Sequence, residues 1–251
     1  MKDKKMHEVE NVLKFLLPKI NKYRIDLVVD IGCGKGYTSY IIAAANPDIK
    51  VYGIDAKKAN IDEFDRRIKK IALVHSSRLS SCCQSYSSRF TLKSLFVDSQ
   101  QIEEIGNDIA GKSPILIALH GCGNLSSTLV RMFASLRTIK QFFLVSCCFN
   151  LLTENLPENS KVTDAYKLYS EHVRNDLTMN IEEDKEGGFP MSKYICERYP
   201  EFFLGRIIRC SAAASFAFLI EEPNRTLYFT KMLYRSALEV FSFLILEIYA
   251  R

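Results

Sequence analysis

The hydrophobic pattern of the chain changes from one amphipathic stretch to a series of short apolar runs. Apolar residues at three- and four-residue spacing predict an amphipathic helix over residues 5–22, which Pro18 is expected to kink or end. Five short runs rich in β-branched and aromatic residues follow, as is typical of strands buried on both faces of a parallel sheet. They predict strands at residues 27–34, 51–55, 114–119 and 142–146, and a third strand that ends at 95–98.

Helical stretches separate these runs. They cover residues 37–45, then 57–73, and one that continues through Leu136, for which Ser126 or Ser127 is the expected N-cap. Strands that alternate with helices imply a parallel sheet with right-handed crossovers. The predicted fold class is therefore α/β, a Rossmann-like sheet with helices on both faces. Ligands of such sheets bind beyond the carboxyl ends of the strands, where the strand order reverses.

The remaining segments have weaker patterns. Residues 76–89 are rich in serine and predict a flexible loop, and the polar residues 153–194 predict a substrate-side lid. Two helical stretches follow at 201–221 and 226–248, without clear sixth and seventh strands, so the fold looks truncated after the fifth strand. We predict a single domain over 1–251, with an N-terminal helix (1–24), a Rossmann core (25–152) and an insert with C-terminal helices (153–251).

Composition excludes few classes of protein. The 251 residues are 47% hydrophobic and 25% charged, with a net charge of +5 that is compatible with an RNA partner without indicating one. Acidic residues interrupt the first ten positions, and Glu247 interrupts the most apolar stretch, so we expect neither a secretory signal nor a membrane span. Eight cysteines that include two adjacent pairs do not predict a disulfide framework. We expect an intracellular protein (cytoplasmic or nuclear) with reduced thiols; its oligomeric state is not specified by the pattern.

Glycines follow the first predicted strand at every second position. They are Gly32, Gly34 and Gly36, and Asp30 stands two residues before the first of them. The dinucleotide fingerprint needs a small residue where Tyr37 stands, which disfavours an NAD(P)-dependent oxidoreductase. The pattern instead resembles motif I of class I S-adenosylmethionine (SAM) methyltransferases, in which the acid holds the ammonium group and the loop amides meet the carboxylate. The alternative is a tight strand–helix turn that binds nothing.

Further candidate residues stand at the later strand ends. Asp55, roughly 20 residues past the glycines, is expected to accept the ribose hydroxyls, with Ala56 beside it; a helix-capping role is compatible with this. By the same resemblance, Asp98 would accept the adenine amino group, and Leu119 completes the cofactor-binding set. His120, the only histidine at a predicted strand end, is the candidate general base or substrate-orienting group. Alternatively, His120 only bonds the neighbouring loop.

A zinc site is a further alternative at these strand ends. His120, Cys122, Cys147 and Cys148 come from neighbouring strand ends. However, the sequence has no C-x₂-C pair, and adjacent cysteines within a strand point to opposite faces. We therefore predict no metal.

Six pieces in order through nearly the whole chain resemble the methyltransferase-like protein 25 family, which is related to proteins labelled as containing a ribosomal RNA adenine dimethylase domain. This resemblance implies a class I methyltransferase that uses SAM, with RNA as the acceptor and protein as the alternative. It also implies substrate-side roles for His7, Asn124, Cys148 and Phe189. The matching pieces are Lys4–Val9, Asp30–Gly36, His120–Gly123, Cys147–Cys148, Gly188–Ser192 and Tyr234–Glu239. The third and fourth pieces are also similar to tRNA 2′-O-methylating enzymes.

The chain departs from this family at two positions. Asn124 replaces an acid, and Asn150 replaces a histidine, so acid–base capacity is lost beside the expected methyl group. These changes favour the alternative of a catalytically weak or inactive SAM-binding or RNA-binding scaffold. In addition, His120–Gly123 stands where adenine N6 methyltransferases carry an Asn/Asp-Pro-Pro-aromatic tetrad, which argues against that chemistry.

Overall fold

The computed structural model describes residues 3–76, 87–154 and 188–199, and three helical pairs at 226–227, 229–230 and 233–234. Its contacts divide the chain into two compact units, Met1–Cys148 and Phe149–Arg251. None of the helices in these described ranges combines the length and the apolar character needed to cross a lipid bilayer.

A parallel sheet of five strands forms the centre of the first unit. The strands are β1 (Leu27–Ile31), β2 (Lys50–Asp55), β3 (Phe90–Ser94), β4 (Pro114–Leu119) and β5 (Gln141–Val145). Their order is β3-β2-β1-β4-β5, and all neighbours are parallel. This topology confirms the predicted Rossmann-like α/β fold. The strand order reverses at β1, so the switch point lies between β1 and β4.

Helices cover both faces of this sheet. They are α1 (Asp3–Lys22), α2 (Tyr37–Ala45), α3 (Lys58–Ser76), α4 (Ile102–Asp108) and α5 (Asn124–Ser135). Alternate side chains of β1 belong to two apolar clusters, as the pleat of a strand requires. Val28 packs with residues of α1 and α2, whereas Leu27, Val29 and Ile31 pack with residues of α4 and α5.

The structure contradicts one of the two alternatives for Pro18 and the predicted end of the third strand. Pro18 does not end α1, which continues to Lys22 while Leu16 and Ile20, on either side of the proline, are buried. The third strand does not end at 95–98, because β3 pairs with β2 only as far as Ser94, opposite Asp55. The chain then leaves the sheet.

The predicted N-cap of α5 is also wrong. This helix begins at Asn124, directly after Gly123, whose φ is +59°. Both candidate hydroxyls act as donors to earlier carbonyls: the Ser126 hydroxyl donates to the Gly121 oxygen, and the Ser127 hydroxyl donates to the Asn124 oxygen at 2.8 Å. They lie inside the helix rather than before it.

The described part of the second unit is small. A 3₁₀ turn covers Phe149–Leu151, Glu154 and Phe189 form an isolated bridge, and α6 covers Lys193–Arg198. The Gly188 amide donates to the Thr153 hydroxyl at 3.0 Å. Several predicted features lie outside the described residues: most of the serine-rich loop, most of the lid, and nearly all of both C-terminal helices. The prediction that the sheet ends after its fifth strand concerns the same residues and stays a prediction.

Leu16→Ala tests whether α1 is an integral part of the core. Leu16 is fully buried, so its truncation should lower the free energy of unfolding by roughly 2–5 kcal/mol. Met6→Ala on the same helix is the control, because Met6 is 47% exposed and its loss should cost less than about 0.5 kcal/mol. Urea denaturation followed by circular dichroism measures both. Equal, small losses would show that α1 does not belong to the core.

Candidate functional site

A cavity of about 210 Å³ opens at the carboxyl ends of β1 and β4, at the switch point of the sheet. Asp30 and residues of the turn between Gly32 and Thr38 line it from β1 and the start of α2, and Leu119 and His120 line it from the end of β4. The structure thus brings together five of the predicted site residues, namely Asp30, Gly32, Gly34, Leu119 and His120.

The glycine turn needs left-handed backbone at three positions. The φ angles of Gly32, Gly34 and Gly36 are +74°, +55° and +68°. A Cβ on Gly36 would lie 2.2 Å from the ring of Phe64, whereas a Cβ on Gly34 would meet nothing within 4 Å. Gly36 therefore lets α3 pack against the turn, while Gly34 leaves open backbone at the cavity.

Asp30 places a buried carboxylate at this cavity. The residue is 3% exposed, and the Ser39 hydroxyl of α2 donates a hydrogen bond to it. Next to it, burial raises the pKa of the Cys33 thiol, and the charges of Asp30 and Asp55 raise it further. Cys33 therefore stays a neutral thiol, and the negative charge of the cavity comes from the carboxylates.

Asp55 joins the glycine turn to the start of α3. One carboxylate oxygen accepts hydrogen bonds from the Lys57 amide at 2.8 Å and the Asn60 side chain at 3.0 Å. The other oxygen accepts the Gly34 amide at 2.9 Å. A carboxylate offers roughly four lone-pair positions, so one ribose hydroxyl could use the remaining position and the second would have to share or displace one of these bonds. The contacts match the capping alternative, and the ribose role stays a prediction.

The other two predicted adenosine contacts stand further along the same edge. Asp98 is half-buried and accepts the Gln100 amide at 2.7 Å, while the Gln101 side chain accepts the Asp98 amide at 3.0 Å. This reciprocal pair caps the 3₁₀ turn Ser99–Gln101. Ala56 is exposed directly after Asp55. The adenine role of Asp98 and the role of Ala56 stay predictions.

His120 has a partner at each ring nitrogen. Its Nε2 lies 2.9 Å from a carboxylate oxygen of Glu8, and its Nδ1 lies 3.2 Å from the sulfur of Cys147. The residue adopts φ +64°, which is uncommon outside glycine and is held here by these contacts. The contacts match the alternative in which His120 bonds the neighbouring loop, and its role as a general base stays a prediction.

The N-terminal helix contributes Glu8 to this site. Sequence reasoning missed this residue, because the apolar spacing that predicts the helix does not show which of its charged residues contacts a distant part of the chain. Glu8 stands one turn before the buried Val12, a spacing that places it at the border of the apolar face. His7 is exposed, and its ring lies 3.0 Å from the Asn11 side chain one turn later. A substrate-side role for His7 stays a prediction.

Three cysteine thiols meet beside His120. The sulfur of Cys147 lies 3.1 Å from that of Cys122 and 3.5 Å from that of Cys148. The argument that adjacent cysteines point to opposite faces of a strand is wrong here, because β5 ends at Val145 and both residues follow it. A hydrogen bond from Cys122 is the main cause that lowers the pKa of Cys147 to about 7, whereas burial is the main cause that raises the pKa of Cys122 to about 12.

The remaining substrate-side candidates are distributed between the two units. Asn124 begins α5 and is half-buried, and Cys148 is one of the three clustered thiols just described. Phe189 belongs to the second unit, where it bridges Glu154. The substrate-side roles of all three stay predictions.

Comparison with known proteins identifies the family of this chain. Residues 4–155 match the family described as "Methyltransferase domain". The chain is similar to "Probable methyltransferase-like protein 25" of Homo sapiens, with 37% identity over 73 residues, which are 28% of this chain and 12% of that protein. The Mus musculus protein of the same name is 28% identical over 121 residues, 48% of this chain and 17% of that protein. The matches thus span less than a fifth of these relatives.

Among solved structures, the chain is similar to a precorrin-6y C5,15-methyltransferase of Geobacter metallireducens. The identity is 14%, the overlap covers 61% of this chain and 66% of that chain, and the TM-score is 0.36.

Alanine substitutions in the glycine turn should separate backbone strain from side-chain packing. Gly34→Ala should cost only the left-handed penalty of about 1–2 kcal/mol. Gly36→Ala should lose roughly 1–3 kcal/mol more, because its Cβ overlaps the Phe64 ring. Chemical denaturation of the two variants measures the difference, and Phe64→Leu combined with Gly36→Ala should recover part of it. Equal losses for the two single variants would mean that Phe64 does not constrain the turn.

Proposed function

From the premise that this chain belongs to the methyltransferase domain family, we propose that its first unit binds SAM and transfers the methyl group to RNA. The observation that carries the proposal is the cavity at the switch point, where a buried carboxylate and a left-handed glycine turn face the end of β4. The match to the family covers residues 4–155, which contain all five strands.

The donor groups at the cavity suit the amino-acid end of SAM. Asp30 would accept hydrogen bonds from the ammonium group, because a carboxylate shielded from water binds a cation strongly. The turn from Gly32 to Gly36 and the first amides of the nine-residue α2 would meet the carboxylate, which the positive end of the helix favours. Pockets for whole small molecules measure roughly 300–1,000 Å³. A cavity of about 210 Å³ therefore suits one end of the cofactor.

The start of α2 argues against a dinucleotide. Tyr37 lines the cavity where a pyrophosphate would need a small residue, and the guanidinium of Arg67 lies 3.7 Å from the centre of its ring. This packed pair fills the position at which a dinucleotide would approach the helix. SAM carries no phosphate and does not need that approach.

The adenosine would extend along the sheet edge past β2 and β3. Asp55 and Ala56 follow β2, and Asp98 follows β3, in the order that a ribose and then an adenine would require. Leu119 would add an apolar wall from β4.

Methyl transfer from SAM requires little acid–base catalysis by the protein. The sulfonium of bound SAM supplies an activated methyl group, so the residues mainly exclude water and align the acceptor. An ionised Glu8 accepts a hydrogen bond from the Nε2–H of His120, which leaves the Nδ1 lone pair towards Cys147. In this arrangement His120 fixes the cavity wall, and it can act on a substrate only by exchanging one of these contacts.

The RNA acceptor is supported by the family resemblance and by the basic surface. The net charge is +5, and α1 presents Lys19 at 4.5 Å from the Phe15 ring and Lys22 at 5.3 Å from the Tyr23 ring. Both rings are more than 40% exposed. Exposed aromatic rings with neighbouring lysines are the side chains on which single-stranded RNA stacks. Asn124 and Asn150 favour the rival proposal, a SAM-binding scaffold that does not transfer the methyl group.

Asp30→Asn should weaken SAM binding about 10- to 100-fold, since a hydrogen bond to a charged group contributes roughly 1.5–3 kcal/mol. Isothermal titration calorimetry with SAM measures the affinity, and a thermal melt without ligand checks that the variant is folded. Asp48→Asn is the matched control, because Asp48 is exposed on the loop after α2 and should not affect binding. Unchanged affinity in Asp30→Asn would remove Asp30 from the site.

Radiolabelled SAM should place methyl groups in RNA. We expect label to be incorporated into total RNA. Nuclease treatment should remove this label, protease treatment should leave it, and Asp30→Asn should lower the amount incorporated. Incorporation should also decrease with salt, because lysine contacts to phosphates release counterions. Label that appears only in protein would identify a protein acceptor. SAM binding without any incorporation would support the scaffold.

A further inference from the structure

The cluster of three cysteine thiols beside His120 has the donor atoms of a metal site. The sulfur atoms of Cys122, Cys147 and Cys148 all lie within 4.8 Å of one another. The Nδ1 atom of His120 lies 3.2 Å from the central sulfur, that of Cys147. Three sulfur ligands and one imidazole nitrogen are a common donor set for structural zinc.

The separations around the sulfur of Cys147 are close to those between the ligands of a tetrahedral ion. With Zn–S bonds of about 2.3 Å, two sulfur ligands of a tetrahedron stand about 3.8 Å apart. With a Zn–N bond of about 2.0 Å, a sulfur and a nitrogen ligand stand about 3.5 Å apart. The sulfur of Cys147 lies 3.1 Å from Cys122 and 3.5 Å from Cys148, so shifts of well under 1 Å bring these pairs to the ideal values.

Glu8 provides the outer contact that metal-bound histidines usually have. Such histidines donate the N–H of their second nitrogen to a carboxylate or carbonyl, which fixes the ring and its tautomer. Nε2 of His120 lies 2.9 Å from the Glu8 carboxylate, so Nδ1 is the nitrogen with a free lone pair, and it faces the thiols. This arrangement leaves the imidazole in the form that binds a metal.

The backbone holds the two ligand-bearing loops together. The His120 amide donates to the Val145 oxygen at 2.9 Å, which continues the ladder between β4 and β5 by one residue. The Gly123 amide donates to the Cys148 oxygen at 3.4 Å. The loop after β4 also adopts left-handed backbone at His120 and Gly123, and this turn directs the sequence His-x-Cys towards the loop after β5.

We propose that Cys122, Cys147, Cys148 and Nδ1 of His120 bind one Zn²⁺ ion, with Glu8 as the outer partner of the histidine. A disulfide explains the group less well, because it would use two of the three sulfurs and would need neither His120 nor Glu8. Ligands rich in sulfur select zinc, copper(I) or iron–sulfur clusters over Mg²⁺ and Ca²⁺. On binding, each thiol releases its proton to solvent.

Four protein ligands make this a closed, structural site rather than a catalytic one. The ion would join the loops after β4 and β5 to α1 through Glu8. Because His120 and Leu119 line the cavity of the first unit, the ion would also fix that wall. This inference does not depend on methyl transfer, since it concerns only the ligands and the metal.

Metal analysis of the reduced, full-length chain tests the proposal. We expect about one zinc ion per chain by inductively coupled plasma mass spectrometry after purification without chelator. After removal of zinc, added Co²⁺ should give the visible bands of a tetrahedral ion and a strong thiolate-to-cobalt absorption. Refilling with zinc should raise the melting temperature.

Two matched pairs of variants assign the ligands. Cys147→Ser with Cys148→Ser should abolish stoichiometric zinc, whereas Cys82→Ser with Cys83→Ser, the other adjacent pair, should retain it. Likewise, Cys122→Ser should lose zinc and Cys196→Ser, an exposed thiol on α6, should keep it. Glu8→Gln retains every ligand, so it should still bind zinc but with roughly 10- to 100-fold lower affinity. Circular dichroism confirms that each variant is folded.

Several results would overturn the proposal. One is a folded, reduced chain that contains no stoichiometric metal and gives no tetrahedral cobalt spectrum. Another is zinc that is lost with the Cys82–Cys83 pair instead of the Cys147–Cys148 pair. A third is an intact mass that shows two hydrogens lost between Cys122 and Cys147, because a disulfide would then occupy the position of the metal.

Discussion

Parallel pairing of β1 with both β2 and β4 is the constraint on which the rest of the first unit depends. Parallel strands present their carboxyl ends at one edge, and the reversal of strand order at β1 keeps helices from covering that edge between β1 and β4. The glycine turn and the end of β4 therefore face one cavity. The same pairing holds β5 beside β4, so the two loops that carry the thiols are neighbours as well.

The glycine turn couples this cavity to the core. The absence of a side chain on Gly36 lets the Phe64 ring of α3 pack against the turn. Asp55 accepts hydrogen bonds from the Gly34 amide and from the Lys57 amide, directly before α3. On the other side of the turn, Ser39 of α2 donates to Asp30. The two helices and the two strands are thus fixed through the turn that lines the cavity, and a ligand would meet a site that is already organised.

The sequence predicted features that depend on local pattern. Strand and helix positions followed from hydrophobic periodicity, and the glycine turn followed from its spacing, because both are determined within a few residues. The contacts of His120 could not be predicted in this way. They depend on a left-handed residue after β4, on the end of β5 at Val145, and on Glu8, which is more than a hundred positions away. The end of β3 was missed for a similar reason, because pairing with β2 rather than apolar character decides it.

Glu8 also changes the significance of the two asparagines. If Asn124 and Asn150 replace an acid and a histidine, the chain loses two titratable groups, but the carboxylate–imidazole pair of Glu8 and His120 remains beside the cavity. Since SAM supplies an activated methyl group, alignment of the acceptor matters more than proton transfer. Under the proposed function, a fixed wall at His120 and a buried carboxylate at Asp30 are the groups that binding and alignment would use. The loss of the two titratable side chains therefore does not by itself make the chain a scaffold.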